Sequence, residues 1–115
     1  METTPRFLNG VYAFTGTGLA TPAPVTPPLA YTVASDKRSQ MIYLRAGNSA
    51  DAMIAVHLVR GGTPFRSFPV AAKGAIHVSL AVVEDLDPDS LLDVVVAAPA
   101  GVSGHVVLDI GFMEI

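Results

Sequence analysis

The chain has 115 residues, with 7 Lys and Arg against 10 Asp and Glu, a formal net charge of −3 and no cysteine. That is the length of one domain. Without a basic stripe to displace phosphate counterions it does not fit a nucleic-acid binder, and without cysteine it has neither disulfides, thiolate metal sites nor a cysteine nucleophile. Charged residues make up only 15%, against about 25% in an ordinary soluble domain. No run of about 18 uncharged apolar residues suggests a membrane helix. The opening METTPRFLNG lacks the basic head and apolar stretch of a signal peptide, so the expected setting is the cytoplasm or a virion. Surplus apolar surface in such a domain points to a protein contact.

Residues 7–14 (FLNGVYAF) are aromatic and branched, which predicts a strand. Asn9-Gly10 inside it is either a type I′ turn or a weak point. Residues 15–30 are rich in Pro, Gly and Thr. Pro22, Pro24, Pro27 and Pro28 predict an extended or polyproline arm that stays out of any ladder. No charge falls between Arg6 and Asp36, so the arm is expected to lie on its own surface or a neighbour's. Further short strands are predicted at 29–34, 40–47, 52–60, 64–72, 75–83, 91–98 and 105–113. Turns separate them at Asn48–Asp51, Gly61-Gly62, Lys73-Gly74 and Pro99–Gly104, and Pro64 and Pro69 mark an edge strand. A strand–turn rhythm without crossover helices predicts an all-β antiparallel sandwich of about seven to eight strands, jelly-roll or immunoglobulin-like, as a single domain over 1–115.

Side chains alternate along a strand. In 52–60 the row Ile54, Val56, Leu58 lies opposite Met53, Ala55, His57 and Val59. In 75–83, Ile76, Val78, Leu80 and Val82 lie opposite Ala75, His77, Ser79 and Ala81, and in 105–113, Val106, Leu108, Ile110 and Phe112 lie opposite His105, Val107, Asp109 and Gly111. The three histidines are therefore expected on outer faces. Those faces hold few Lys or Glu, as if another subunit covered them.

Imidazole binds zinc, nickel and copper, so His57, His77 and His105 are the metal candidates. If Gly61-Gly62 and Lys73-Gly74 are both hairpins, however, a strand separates His57 from His77 by about 10 Å. A shared ion would then need histidines from two protomers. No catalytic residues emerge: Ser79 and His77, or His105 and Asp109, are too far apart along one strand for a nucleophile–base pair. Glu84–Ser90 spaces its aspartates like a calcium loop but lacks that loop's glycine and glutamate. A short helical turn with Asp87 as N-cap and Pro88 behind it fits better. Gly16-Thr17-Gly18 lacks the lysine of a phosphate loop. Arg60 and Arg66, near each other across Gly61-Gly62, are the anion-binding candidates, with Arg45 as a third arginine.

These features favour a non-enzymatic, self-associating sandwich that serves as a structural or assembly module, such as a virion component or accessory subunit. Its interface candidates are Pro22, Pro24, Pro27, Pro28, Met53, Ala55 and Val59, its partners a homo-oligomer or larger complex, and no cofactor is expected. The alternative is a small-ligand or metal-binding module with sites between protomers at His57, His77 or His105.

Overall fold

The computed structural model describes residues 3–80 and 85–115. Among these every regular element is a strand: β1 (Thr4–Thr15), β2 (Ala23–Thr32), β3 (Ser39–Asn48), β4 (Ile54–Arg60), β5 (Thr63–Val70), β6 (Ala75–Ser79), β7 (Asp85–Leu86), β8 (Leu91–Ala97) and β9 (Ser103–Glu114). The pairing is antiparallel throughout and the fold is a β-sandwich, as the turn rhythm predicted. One layer runs β5-β4-β8-β2, the other β1-β9-β3-β6, with β7 also on β3.

Period-two burial explains the stacking. Ile54, Val56 and Leu58 of β4 and Leu92, Val94 and Val96 of β8 are buried. They meet Leu44 and Ala46 of β3 and Val106, Leu108, Ile110 and Phe112 of β9 in one core. Most outward neighbours on the same strands are half-buried or exposed, so each sheet has one dry and one wet face. The predicted inward rows are the observed ones; Ala81, Val82 and Glu84 lie outside the described residues.

The proline-rich segment corrects the expectation of an arm, because its second half is strand β2. Ala23 and Pro24 pair with Val96 and Val95 of β8, and the ladder resumes at Leu29↔Val94. Between them the chain bulges, and the bulge contains Pro27 and Pro28, which have no N–H to contribute. It carries Thr26 across to pair with Ala13 of β1 and buries Val25 to 1% exposure. The prolines form the corner joining the two layers.

Gly61 and Gly62 make the predicted hairpin, with Arg60 opposite Thr63. Their φ angles of 56° and 84° are the left-handed pair a type I′ turn needs. Lys73-Gly74 is not a hairpin: β5 ends in one layer and β6 begins in the other. The capped helical turn at Asp87 is also corrected. Ser90 N–H donates to the Asp87 carbonyl at 3.1 Å, but Asp89 sits at φ 66°, so the chain makes one turn and proceeds into β8. Asn9-Gly10 stays inside β1, opposite Asp109 and Leu108.

Gly16 sits where no side chain fits. Its N–H donates to the Val102 carbonyl at 2.6 Å, and a Cβ there would lie 2.1 Å from the Pro99 carbonyl oxygen and 2.8 Å from that of Val102. Both are backbone atoms of the turn entering β9, so neither can swing aside. Gly16→Ala is expected to lower unfolding free energy by about 3 kcal/mol, read as an earlier midpoint in urea; an unchanged midpoint would show that this turn yields.

Candidate functional site

The outward side chains of the β1-β9-β3-β6 layer line up in rows across the strands. One row is Asn9, Asp109, Arg45 and His77, all in direct register. Beside it runs Val11, Val107, Gly47 and Ala75, and on its other side Phe7, Gly111, Tyr43 and Ser79. Adjacent strands lie about 4.8 Å apart, so each row spans roughly 14 Å. A polar strip is thus flanked by apolar ground: Phe7, Val11 and Val107 are 58%, 61% and 54% exposed.

The polar strip is organised before any ligand arrives. Tyr43 donates its phenolic proton to Asp109 Oδ1 at 2.9 Å, and Arg45 Nη1 donates to Oδ2 at 3.4 Å. The guanidinium stands 5.0 Å from the Tyr43 ring centroid, and His77 meets that ring edge-on at 6.3 Å. Burial pushes the Tyr43 phenol above its ordinary range, and its hydrogen bond to Asp109 pushes it further. Two local features place the ring. An irregularity after Met41 skips Ile42, so Met41 and Tyr43 point to opposite faces. Gly111, cross-strand from Tyr43, has no side chain, and the ring occupies the space a Cβ would take.

Next to this array is an open groove of about 490 Å³, with Gly47, Ala75 and Val107 on its small-residue side and Arg45, His77 and Asp109 on its polar side. That volume lies within the roughly 300–1,000 Å³ of small-molecule sites. The groove gathers an arginine, an aspartate and a histidine, and the histidine is His77; His105 lies further along β9, its backbone N–H donating to Ser49 Oγ at 2.8 Å.

The structure places the other sequence candidates elsewhere. His57 is in the opposite layer, its Nδ1 2.7 Å from Ser67 Oγ, so it shares no site with His77. Among the described residues no three His, Cys, Asp or Glu side chains converge as a metal would require. Arg60 lies over the Phe65 ring and donates to the Asp85 carbonyl, while Arg66 pairs across from Leu58. Met53 is 47% exposed before β4, and Ala55 and Val59 face outward on β4. Pro22 is exposed just ahead of β2; Pro24, Pro27 and Pro28 belong to it. Sequence reasoning missed Tyr43 and Asn9. The signal available for Tyr43 was its spacing two residues from Arg45.

No protein-family model matches the chain, and no curated protein matches it in sequence. Solved structures do resemble it in shape. One is the CBM36-1 domain of a multidomain xylanase from the hindgut metagenome of Trinervitermes trinervoides, at 16% identity and a TM-score of 0.57 over 96% of each chain. Another is a carbohydrate-binding module, CBM36, in complex with calcium and xylotriose, at 18% identity and a TM-score of 0.57 over 98% of each chain. At these identities the likeness is one of fold.

The expectation of a self-associating structural or assembly module is thereby corrected. Two sandwiches that resemble it over nearly their whole length are carbohydrate-binding modules, and the second half of the arm invoked for packing on a neighbour is strand β2 of the chain's own sheet. The calcium of the second structure finds no fitting donor set among the described residues. In the acidic stretch Asp85 already accepts from Arg38 and Gln40, and Asp89 from Ser35.

Proposed function

We propose that the chain is a non-catalytic module that binds a short linear carbohydrate on the outer face of its β1-β9-β3-β6 layer. The observation that carries this reading is the groove beside Arg45, His77 and Asp109. A sugar presents hydroxyls that both donate and accept and ring faces that are apolar. The polar row offers a carboxylate, a guanidinium and an imidazole, and the next row offers Val11, Val107 and Ala75. Convergent polar groups on an apolar floor are what orient a small ligand. The two fold neighbours, one from a xylanase and one holding xylotriose, support the choice of ligand class.

The test is a titration of the isotope-labelled chain with xylotriose, following backbone amide signals. Shifts are expected at Arg45, Gly47, His77 and Asp109. Arg45→Ala, at an exposed position, should weaken binding about tenfold, or about 1.4 kcal/mol, with the melting temperature unchanged. Absence of shifts at ligand concentrations of about 10 mM, or shifts confined to the other layer, would overturn the assignment.

A further inference from the structure

The opposite layer carries a second pocket of different chemistry. It opens where the β2 bulge leaves β8, has a volume of about 280 Å³, and is walled by Pro24, Pro28, Leu29, Val59 and Val95, with Asp93 as its one ionisable side chain. Asp93 stands mid-strand on β8, opposite Ala30 of β2 and Val59 of β4, and is half-buried.

Its surroundings set it apart from the other acids. Among the described acidic residues only Asp93, Asp109 and Glu114 are buried or half-buried. Asp109 is held by Tyr43 and Arg45, and Glu114 by Arg6 and Tyr31. Asp93 has no hydrogen bond or ion pair with any described residue. The basic side chains with identified partners are engaged elsewhere: Arg38 with Asp85, Arg45 with Asp109, Lys73 with Asp51. His57, on the same face, contacts Ser67. A half-buried carboxylate beside apolar walls is placed to meet a cation that enters the pocket.

We propose that this pocket is a binding site for an alkylammonium group: a cationic nitrogen on Asp93 with its methylene stem against Pro28, Leu29 and Val59. The prolines give the stem a rigid wall whose shape does not have to be ordered on binding. The volume falls just under the usual range for drug-sized ligands, which suits a short aliphatic amine. Net charge complements the ligand, since the chain carries −3. This site lies on the other layer from the carbohydrate groove, so it stands or falls independently of it.

The experiment titrates the full chain, labelled at Val and Leu methyls, with n-butylammonium chloride, 1-butanol and Nα-acetyl-lysine N-methylamide. n-Butylammonium is expected to move the Leu29, Val59 and Val95 signals and to bind about tenfold more tightly than 1-butanol. Asp93→Asn should abolish that preference while leaving the melting temperature and far-ultraviolet spectrum unchanged. Val59→Phe, which fills the pocket and keeps the carboxylate, should block the amine as well. Binding of the lysine derivative as tight as that of n-butylammonium assigns the cation to a protein side chain; its exclusion assigns the pocket to free amines. Either result supports the alkylammonium site. Equal response to 1-butanol, or full amine affinity in Asp93→Asn, overturns it.

Discussion

Replacing Arg6 with alanine is expected to destabilise the sandwich by about 3 kcal/mol at neutral pH, and by much less in acid. Glu114 ends β9 with its side chain 2% exposed, and Arg6 Nε holds Oε1 at 3.1 Å. Tyr31, reaching over from the other layer, donates to Oε2, and its oxygen lies 3.0 Å from Ser39 Oγ. Burial on its own pushes the Glu114 carboxyl up, but the hydrogen bonds from Tyr31 and Arg6 outweigh it and hold the group below its ordinary value. The same arrangement pushes Tyr31 up to about 12, first by burial and then by its bond to Glu114.

The sign of the pH dependence follows. A carboxyl with a depressed folded pKa stabilises the fold above its unfolded value, near 4.3, and that contribution is lost as pH falls through the folded value. Tyr31 works at the other end: its contribution is complete below about pH 10 and is lost as pH rises through about 12. Removing Arg6 strands a buried carboxylate, which is the costly way to break such a pair. The expected loss is at the low end of the range for broken buried pairs because the Arg6 side chain is 54% exposed. Tyr31→Phe removes one bond and leaves the cation, so about 1–2 kcal/mol is expected. Urea unfolding of Arg6→Ala and wild type at pH about 7 and about 3 checks this. The gap between them should narrow in acid, where a protonated Glu114 no longer needs a cation; a gap that persists would mean Arg6 acts through packing alone.

How much of this was legible in the sequence depends on the kind of signal. Alternation in 52–60 and 105–113 marked the inward rows because those strands are regular and one face is dry. Gly61-Gly62 marked its hairpin because two left-handed residues in succession favour glycine. The prolines of 22–28 misled. Proline lacks a donor, but an edge strand with a bulge can absorb that lack, and whether a bulge exists depends on a partner strand some 70 residues away. Lys73-Gly74 looked like a second hairpin because local turn chemistry does not say which layer the next strand joins.

The groove was half visible. His77 and Asp109 were assigned to outward faces correctly, but alternation alone would put Met41 and Tyr43 on one face, and the skipped Ile42 separates them. Which histidine would meet Asp109 was a question of strand order. β3 lies between β9 and β6, so Arg45 sits in register between Asp109 and His77, an adjacency no spacing along the chain encodes.

Gly111→Ala tests the groove through a residue that touches no ligand. A Cβ at 111 would lie 2.1 Å from Tyr43 Cε2 and 2.6 Å from Cδ2. The obstacle is the far end of a side chain, and Gly111 needs no left-handed backbone, so the strand accepts alanine and the ring must move. Moving it removes the 2.9 Å bond to Asp109 and the guanidinium's place 5.0 Å from the ring. Tyr43 is thus a positioning residue: it fixes the carboxylate and the arginine that face the groove. Xylotriose affinity is expected to fall about tenfold, or about 1.4 kcal/mol, while stability falls by about 1 kcal/mol. A second readout separates lost positioning from general loosening. Released from burial and from Asp109, the Tyr43 phenol should titrate nearer its ordinary value of about 10, visible in the ultraviolet absorbance, while Tyr31 keeps its own high value. Gly47→Ala is the contrast, because its Cβ would meet only Val107 Cβ at 3.8 Å. It should leave the Tyr43 titration in place and affect binding only by making the groove shallower. If Gly111→Ala leaves both the phenol titration and the sugar affinity unchanged, the ring is not what holds Asp109 and Arg45 in place.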